Sequence, residues 1–533
     1  MIKKSVKGNA LAALQKAFAF SAAAEQQQTQ DTLALYQEEK YNSYNRRQFL
    51  GDMGKASLAM AAAGLYESCN FLNTKTQPSI AIVGAGIAGL HAAYILKNAG
   101  YNATLYEAAH RCGGRILTVS DIMGPGLWTE MGGEFIDSTH EDMLSLCKKF
   151  NLPLLDREPD LAAGLKEFAY YFNGKQYGFQ DVLKEIQPFR TQLIKDVNSL
   201  SKEITFEKFT AIDKQFDEMS ITAYLDQLGI KGWFKNMFEI AYLAEIGLDA
   251  ADQSSINMLG IFNPANEKKN ELFGSSDERY SVIGGNNKIT DALQKELKGQ
   301  IQFDHYLTAI DQNNSKQYLL TFKTPGGALK DIKADIVIMT VPFSVLREVD
   351  FKMSLPGWKM NAIKKLGYGQ SSKLFVGVNE RTWRQQGFAG YCFTDTNLQN
   401  GYDHTQMQGN NKGPGGFTIN LGGKLSIDSV NKDSQALQDE YLSLFDKVYP
   451  GSAKAFNGRF QRWHWPSFAL SKGSYTGFTT GQYTTISGAT GKPVDNLFFA
   501  GEHCSYEFQG FMNGAAKTGR QAAETIIEKL KKK

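Results

Sequence analysis

Ser79-Ile80-Ala81-Ile82-Val83-Gly84-Ala85-Gly86-Ile87-Ala88-Gly89 is the stretch on which the fold turns. Residues 79–83 form a short buried-strand run, and a G-x-G-x-x-G turn follows it without a break. Ala92, Ala93, Ile95 and Leu96 then carry a helical pattern to Gly100, and residues 102–106 read as a second strand ending at Glu107. Strand, glycine turn, helix, strand and acid, with Glu107 twenty-one positions after Gly86, is the fingerprint of a dinucleotide-binding unit. Gly84 serves the tight turn, Gly86 lets backbone approach a pyrophosphate at the helix N-terminus, and Gly89 permits close helix-sheet packing. Glu107 is placed to accept from ribose hydroxyls. The motif alone does not choose between a nicotinamide and a flavin dinucleotide.

Around this unit the composition is that of a folded protein. The 533 residues are 42% hydrophobic, 21% charged and 12% aromatic, which excludes disorder, collagen and a multi-span membrane protein. Such a length suggests several folding units or a large enzyme with inserted segments. Lys and Arg total 58 against 55 Asp and Glu, a net charge of +3 that argues against a nucleic-acid partner. Five cysteines without a CxxC or Cys/His grouping offer neither a disulfide scaffold nor a metal site. Glycine is in excess, 51 of 533 or roughly 10% against about 7% on average.

Residues 1–70 read as a leader. Leu11, Leu14 and Phe18 share helical spacing, and Asn45-Arg46-Arg47-Gln48-Phe49-Leu50 precedes a weakly apolar run at 56–65. Paired arginines ahead of Phe-Leu resemble a twin-arginine export signal, whose translocase carries folded, cofactor-loaded proteins. The apolar run is too short to span a bilayer. The expectation is an exported protein, periplasmic or secreted; if the arginines belong to an ordinary helix, the protein stays in the cytoplasm. Cys69 lies after the run, but Tyr66-Glu67-Ser68 is a poor lipidation motif.

Beyond Glu107-Ala108 come Arg111-Cys112-Gly113-Gly114-Arg115 and then Glu130-Met131-Gly132-Gly133-Glu134-Phe135-Ile136. On these residues the chain resembles the flavin-containing amine oxidase family, which includes monoamine, polyamine and L-amino-acid oxidases. The resemblance continues through Glu278-Arg279-Tyr280-Ser281-Val282-Ile283-Gly284-Gly285-Asn286, the strand holding Leu307, and a buried strand at 335–341. It closes on Asn496-Leu497-Phe498-Phe499-Ala500-Gly501-Glu502-His503 and Gln509-Gly510-Phe511-Met512-Asn513-Gly514-Ala515-Ala516. It implies an α/β fold in which an FAD-binding Rossmann-like domain of glutathione-reductase type is interleaved with an α+β substrate domain. Segments 71–145, 278–350 and 462–533 would bind FAD, and 146–277 (mainly helical) and 351–461 (with strands at 373–378 and 417–421) would form the substrate domain.

The resemblance also assigns roles. Gly84, Gly86, Ala88, Gly89, Glu107, Ala108, Leu307 and Met512 would meet the cofactor. Arg111 and Arg115 would neutralise the diphosphate, with Gly114 between them also meeting the cofactor, and Gly132, Gly133, Glu134 and Phe135 would lie along the flavin ring. Glu502 would hydrogen-bond the ribityl or ribose side, while Gly510 and Phe511 open a helix whose N-terminus faces the pyrimidine edge. Lys373 would hold a water beside the flavin, and Tyr475 and Phe511 would wall an aromatic cage for the amine. Ser474 stands where some relatives attach the flavin through cysteine, so FAD is expected to be non-covalent. Phe135 and a position near Leu421 stand where animal L-amino-acid oxidases pair the substrate carboxylate. Their apolar character favours an uncharged or cationic amine, oxidised with O2 to imine or aldehyde, ammonia or amine, and H2O2. An L-amino-acid oxidase is the rival reading and an inactive flavin scaffold a further one; a nicotinamide dehydrogenase is excluded by the arginine and C-terminal blocks. His503 and Cys504 read as surface or packing residues. The sequence leaves the oligomeric state open, a homodimer included.

Overall fold

The computed structural model describes residues 77–161, 163–260 and 276–532. The leader and its twin arginines lie outside the described residues. No described helix is long and apolar enough to cross a membrane.

A five-stranded parallel sheet is built in the order Leu497–Phe499, Ile336–Met339, Ile80–Val83, Ala103–Tyr106, Ile301–Gln302. Its central strand is buried at every position, which is why it reads as a continuous apolar run rather than an alternation. Successive side chains nevertheless serve two cores. Ile80 and Ile82 pack with the helices Ile87–Asn98 and Met512–Lys531, whereas Ala81 and Val83 face a second core shared with the antiparallel strands Tyr306–Gln312 and Tyr318–Lys323. A Cβ on Gly89 would fall 2.1 Å from the Gly84 carbonyl oxygen, so only glycine allows the first helix to lie this close to its own turn.

The other large element is a seven-stranded sheet ordered Phe456–His464, Ser372–Val378, Gly415–Leu421, Asn400–Asp403, Phe388–Thr394, Lys166–Phe172, Lys175–Tyr177. All of its pairs are antiparallel except Phe388–Thr394 with Lys166–Phe172. Leu374, Val376, Ile419 and Leu421 point from it into a core closed by helix Ser434–Val448, leaving the alternate residues to face the other way.

The domain limits expected from sequence need adjusting. The limit at 145/146 falls inside helix Glu141–Lys149, and that at 461/462 cuts strand Phe456–His464, which pairs with Ser372–Val378. The first insertion is helical over much of its length, with Gly232–Ile246 its longest helix, but it also donates the hairpin Lys166–Phe172 and Lys175–Tyr177.

Candidate active site

One cavity runs between the two sheets, and it is lined by every residue expected to meet cofactor or substrate except Gly89 and Leu421. Gly89 is buried in the packing role its position demands. Leu421 is a correction: it is fully buried in the core beneath the seven-stranded sheet, and its neighbour Asn420 lines the cavity instead. The cause is strand alternation, since Lys373 and Asn420 are register partners on one face and Leu374 and Leu421 point to the other.

At one end of the cavity the helix Ile87–Asn98 begins after Gly86 with no capping side chain and no acid in its first turn. Helix Met512–Lys531 begins after Phe511 in the same state. Two uncapped N-termini therefore offer backbone N–H groups to one cavity, the arrangement that suits a diphosphate and an electron-rich ring edge. A Cβ on Gly86 would meet nothing within 4 Å, so the backbone there is open to a ligand. A Cβ on Gly132 would lie 1.9 Å from the Arg115 carbonyl oxygen and 2.9 Å from the Trp465 ring, which fixes the path of the second glycine turn along the wall.

Glu107 receives Ala85 N at 2.6 Å on one carboxylate oxygen and Ala109 N at 2.8 Å on the other. Burial pushes its pKa up, against these bonds and the nearby Arg111. Arg111 donates to the carbonyls of Cys112 and Gly114, which sets the guanidinium against the cavity wall beside the glycine turn. Leu307, with His305 and Tyr306, lines the same region. These residues fit a dinucleotide: glycine backbone, a helix start, a cation and an acid at the end of the second strand.

Arg115 and Glu502 are placed differently from expectation. They form an ion pair at 2.8 Å, and Arg115 also donates to the Ser474 carbonyl. Glu502 further receives Gly510 N at 2.7 Å and Thr476 Oγ1 at 3.2 Å. The acid expected to take flavin hydroxyls thus spends its acceptors on the protein, and the Arg115 charge expected at the diphosphate is matched by Glu502. Together they join three loops that line the cavity. Of the surface and packing readings His503 takes the second: it is buried, its ring 4.6 Å from Phe343 and its pKa driven down to about 3 by burial.

The cavity wall also carries the rings of Phe135, Tyr391, Tyr402, Tyr475 and Phe511. Burial raises the Tyr475 phenol above its ordinary range, and its hydroxyl donates to the Ala244 carbonyl at 3.3 Å. Lys373 does not have the free ammonium expected of a water-holding lysine. Its Nζ donates to the carbonyls of Glu130 and Gly132, each at 3.0 Å, and to Glu134 Oε2 at 2.8 Å. Three protons meet three acceptors, so Lys373 clamps the second glycine turn to the seven-stranded sheet. Tyr402 donates to the same Glu134 Oε2 at 2.6 Å.

Sequence reasoning did not find Tyr391, Phe393, Asn400, Tyr402, Trp465 or Phe468 as cavity residues. A signal was present in Tyr391 and Phe393 and in Phe168, Tyr170 and Phe172, aromatic rows of period two that mark paired strands.

Residues 87–527 match the family described as flavin containing amine oxidoreductase. The chain is 24% identical over 480 residues to the L-amino-acid oxidase BmooLAAO-I of Bothrops moojeni, covering 86% of this chain and 91% of that one. It is 23% identical to the L-amino-acid oxidase of Crotalus adamanteus, covering 86% and 88%. Among solved structures it is similar to cyclohexylamine oxidase from Brevibacterium oxydans, with a TM-score of 0.74 at 18% identity over 86% of this chain and 100% of the other. It is similar too to a putrescine oxidase bound to putrescine, with a TM-score of 0.71 at 19% identity over 85% and 99%. With the family match spanning most of the chain and the cavity joining a dinucleotide cradle to an aromatic chamber, the protein belongs to the flavin containing amine oxidoreductase family.

Proposed function

We propose that the protein oxidises a small primary or secondary amine with O2, releasing an imine that water converts to an aldehyde and ammonia or amine, together with H2O2. The observation that carries this reading is the chemistry of the chamber wall: aromatic rings beside the cofactor cradle, and every Lys or Arg that lines the cavity already hydrogen-bonded within the protein. Such a wall accepts an amine on aromatic faces and offers an anionic group no ready partner.

FAD, when bound, supplies the hydride acceptor and is regenerated by O2. The chain supplies position and environment. Glycine backbone at 84–86 and 132–133, with the two helix starts, seats the cofactor; Tyr475, Phe511, Phe135 and Tyr402 confine the amine and exclude water. Lys373 holds the turn at 130–134 in place.

L-amino acids are a second reading, and Arg157 favours it. This arginine is 3% exposed; among the described residues its Nε and Nη1 have no acceptor, and its one side-chain hydrogen bond, to Ser281 Oγ, is long at 3.4 Å. It lies behind Phe135, and a shift of that ring would give a carboxylate access to it. Anaerobic mixing of the purified holoenzyme with simple amines and with L-amino acids separates the two: bleaching of the flavin by amines alone supports the first, by amino acids alone the second, and no bleaching defeats both.

Attachment of FAD is non-covalent in this reading, because Ser474 offers no thiol and its hydroxyl donates to Ser371. Acid precipitation then leaves the colour in the supernatant. Export rests on Arg46 and Arg47; replacing both with lysine should leave the product inside the cell.

A further inference from the structure

We propose that Glu134 reads the substrate's amino group, its Oε1 accepting a hydrogen bond from the amine nitrogen. The inference rests on the amine-oxidising reading above and adds the residue that selects for nitrogen bearing N–H.

The two oxygens of this carboxylate are in different states. Oε2 receives Lys373 Nζ at 2.8 Å and the Tyr402 hydroxyl at 2.6 Å. Oε1 receives no hydrogen bond from any described residue, and Glu134 is part of the cavity wall. Its neighbours in that wall are Phe135 and Tyr402, whose rings lie 5.5 Å apart. The acceptor thus emerges beside two aromatic rings.

The bonds at Oε2 give the acceptor two properties. Lys373 pairs with the carboxylate at 2.8 Å inside a buried site, which offsets the cost of taking it out of water. Lys373 and Tyr402, coming from adjacent regions of the seven-stranded sheet, also fix its orientation, so Oε1 has one direction in which to point. A primary or secondary amine has at least one N–H for this acceptor, and a protonated amine gains further from its charge. Ethers, tertiary amines without a proton and hydrocarbons of the same shape gain nothing. An amino group is common to simple amines and amino acids, so the role of Glu134 is independent of whether Arg157 meets a carboxylate.

Glu134→Gln provides the test. Lys373 and Tyr402 claim the single amide oxygen, which leaves the amide NH2, a donor, facing the substrate. The probe is tert-butylamine, which has no C–H on the carbon bearing nitrogen and so binds without turnover. Its Kd, from titration of the flavin absorbance of the holoenzyme, is expected to rise roughly 10- to 100-fold. The Kd of tert-butyl methyl ether, of similar bulk and without a donor, is expected to stay within about threefold. Equal weakening of both probes means a general loss of shape and overturns the proposal, as does unchanged amine binding. Should Glu134→Gln fail to retain FAD, Glu134→Asp keeps the charge beside Lys373 and withdraws the acceptor by one methylene; it must show the same selective loss, and wild-type amine affinity there also overturns the proposal. Absence of flavin bleaching by any amine in the wild type counts instead against the amine-oxidising reading.

Discussion

The guanidinium carbon of Arg157 lies 4.6 Å from the centre of the Phe135 ring, and Phe135 is the side chain that faces the cavity. A buried cation without an ion pair is expensive, and stacking on an aromatic face repays only part of that cost. Arg157→Met removes the charge while keeping much of the bulk. Turnover of carboxylate-free amines is expected to persist and the Tm to hold or rise, since buried charges are often replaced by apolar groups without loss. If L-amino acids are substrates of the wild type, their kcat/KM in this variant should fall by about tenfold or more. Steady-state kinetics on an amino acid and on the amine lacking its carboxyl group compare the two directly.

Gly86→Ala and Gly89→Ala are expected to fail in opposite ways. A methyl group at 86 enters open space at an ordinary φ of −70°, so the apoprotein should keep its Tm while FAD affinity drops. At 89 the methyl group meets the Gly84 carbonyl, and overpacking of that kind costs about 1–3 kcal/mol or more of stability before any cofactor is considered. Thermal melts of the apoprotein and flavin titration distinguish them; equal melting temperatures would remove the packing argument for Gly89.

Lys373→Met breaks the clamp on the second glycine turn. Removing one partner of a buried pair costs about 3–5 kcal/mol, and Glu134 loses its ion-pair partner. The expected outcome is a lower Tm together with flavin reduction or reoxidation slowed by about tenfold or more, because in the proposed function both depend on residues 130–134 positioning the ring. Stopped-flow measurement of each half-reaction provides the check, and unchanged rates in both would remove Lys373 from the mechanism.

Glu130 makes part of the stability dependent on pH. Full burial pushes its carboxyl up to about 8 from an ordinary 4.5, although Asn286 N at 2.7 Å and Thr118 Oγ1 at 2.8 Å oppose this by hydrogen-bonding it. Between those values the folded state holds a proton that the unfolded state has lost, so stability declines as pH rises through that interval. Glu130→Gln has no such proton. The Tm of the wild type relative to this variant should therefore be highest near about pH 5 and fall towards about pH 8, measured by thermal denaturation across that range.

Much of the cofactor side was legible because its chemistry is written locally. The strand, the glycine turn and Glu107 lie within thirty residues, and each requirement falls on a named position. The substrate side was harder to read. Lys373 is displayed by a strand, yet its three acceptors are at 130, 132 and 134, more than two hundred residues away in the chain. Leu421 was chosen where Asn420 was needed because a one-residue slip in a strand exchanges its two faces. Arg115 and Glu502 both line the cavity, but no local pattern could show that they pair with one another across 387 positions.

Both sheets draw their strands from distant parts of the chain. The central strand Ile80–Val83 has Ile336–Met339 beside it, and that strand in turn needs Leu497–Phe499; the seven-stranded sheet is closed at one edge by Phe456–His464. A ribosome-bound chain therefore cannot complete either sheet until its last strands have emerged. Cofactor loading becomes an event of the finished polypeptide; a protein stopped before residue 456 would expose an unpaired strand edge in each sheet, and one stopped between 465 and 496 an edge in the parallel sheet, instead of a smaller working enzyme.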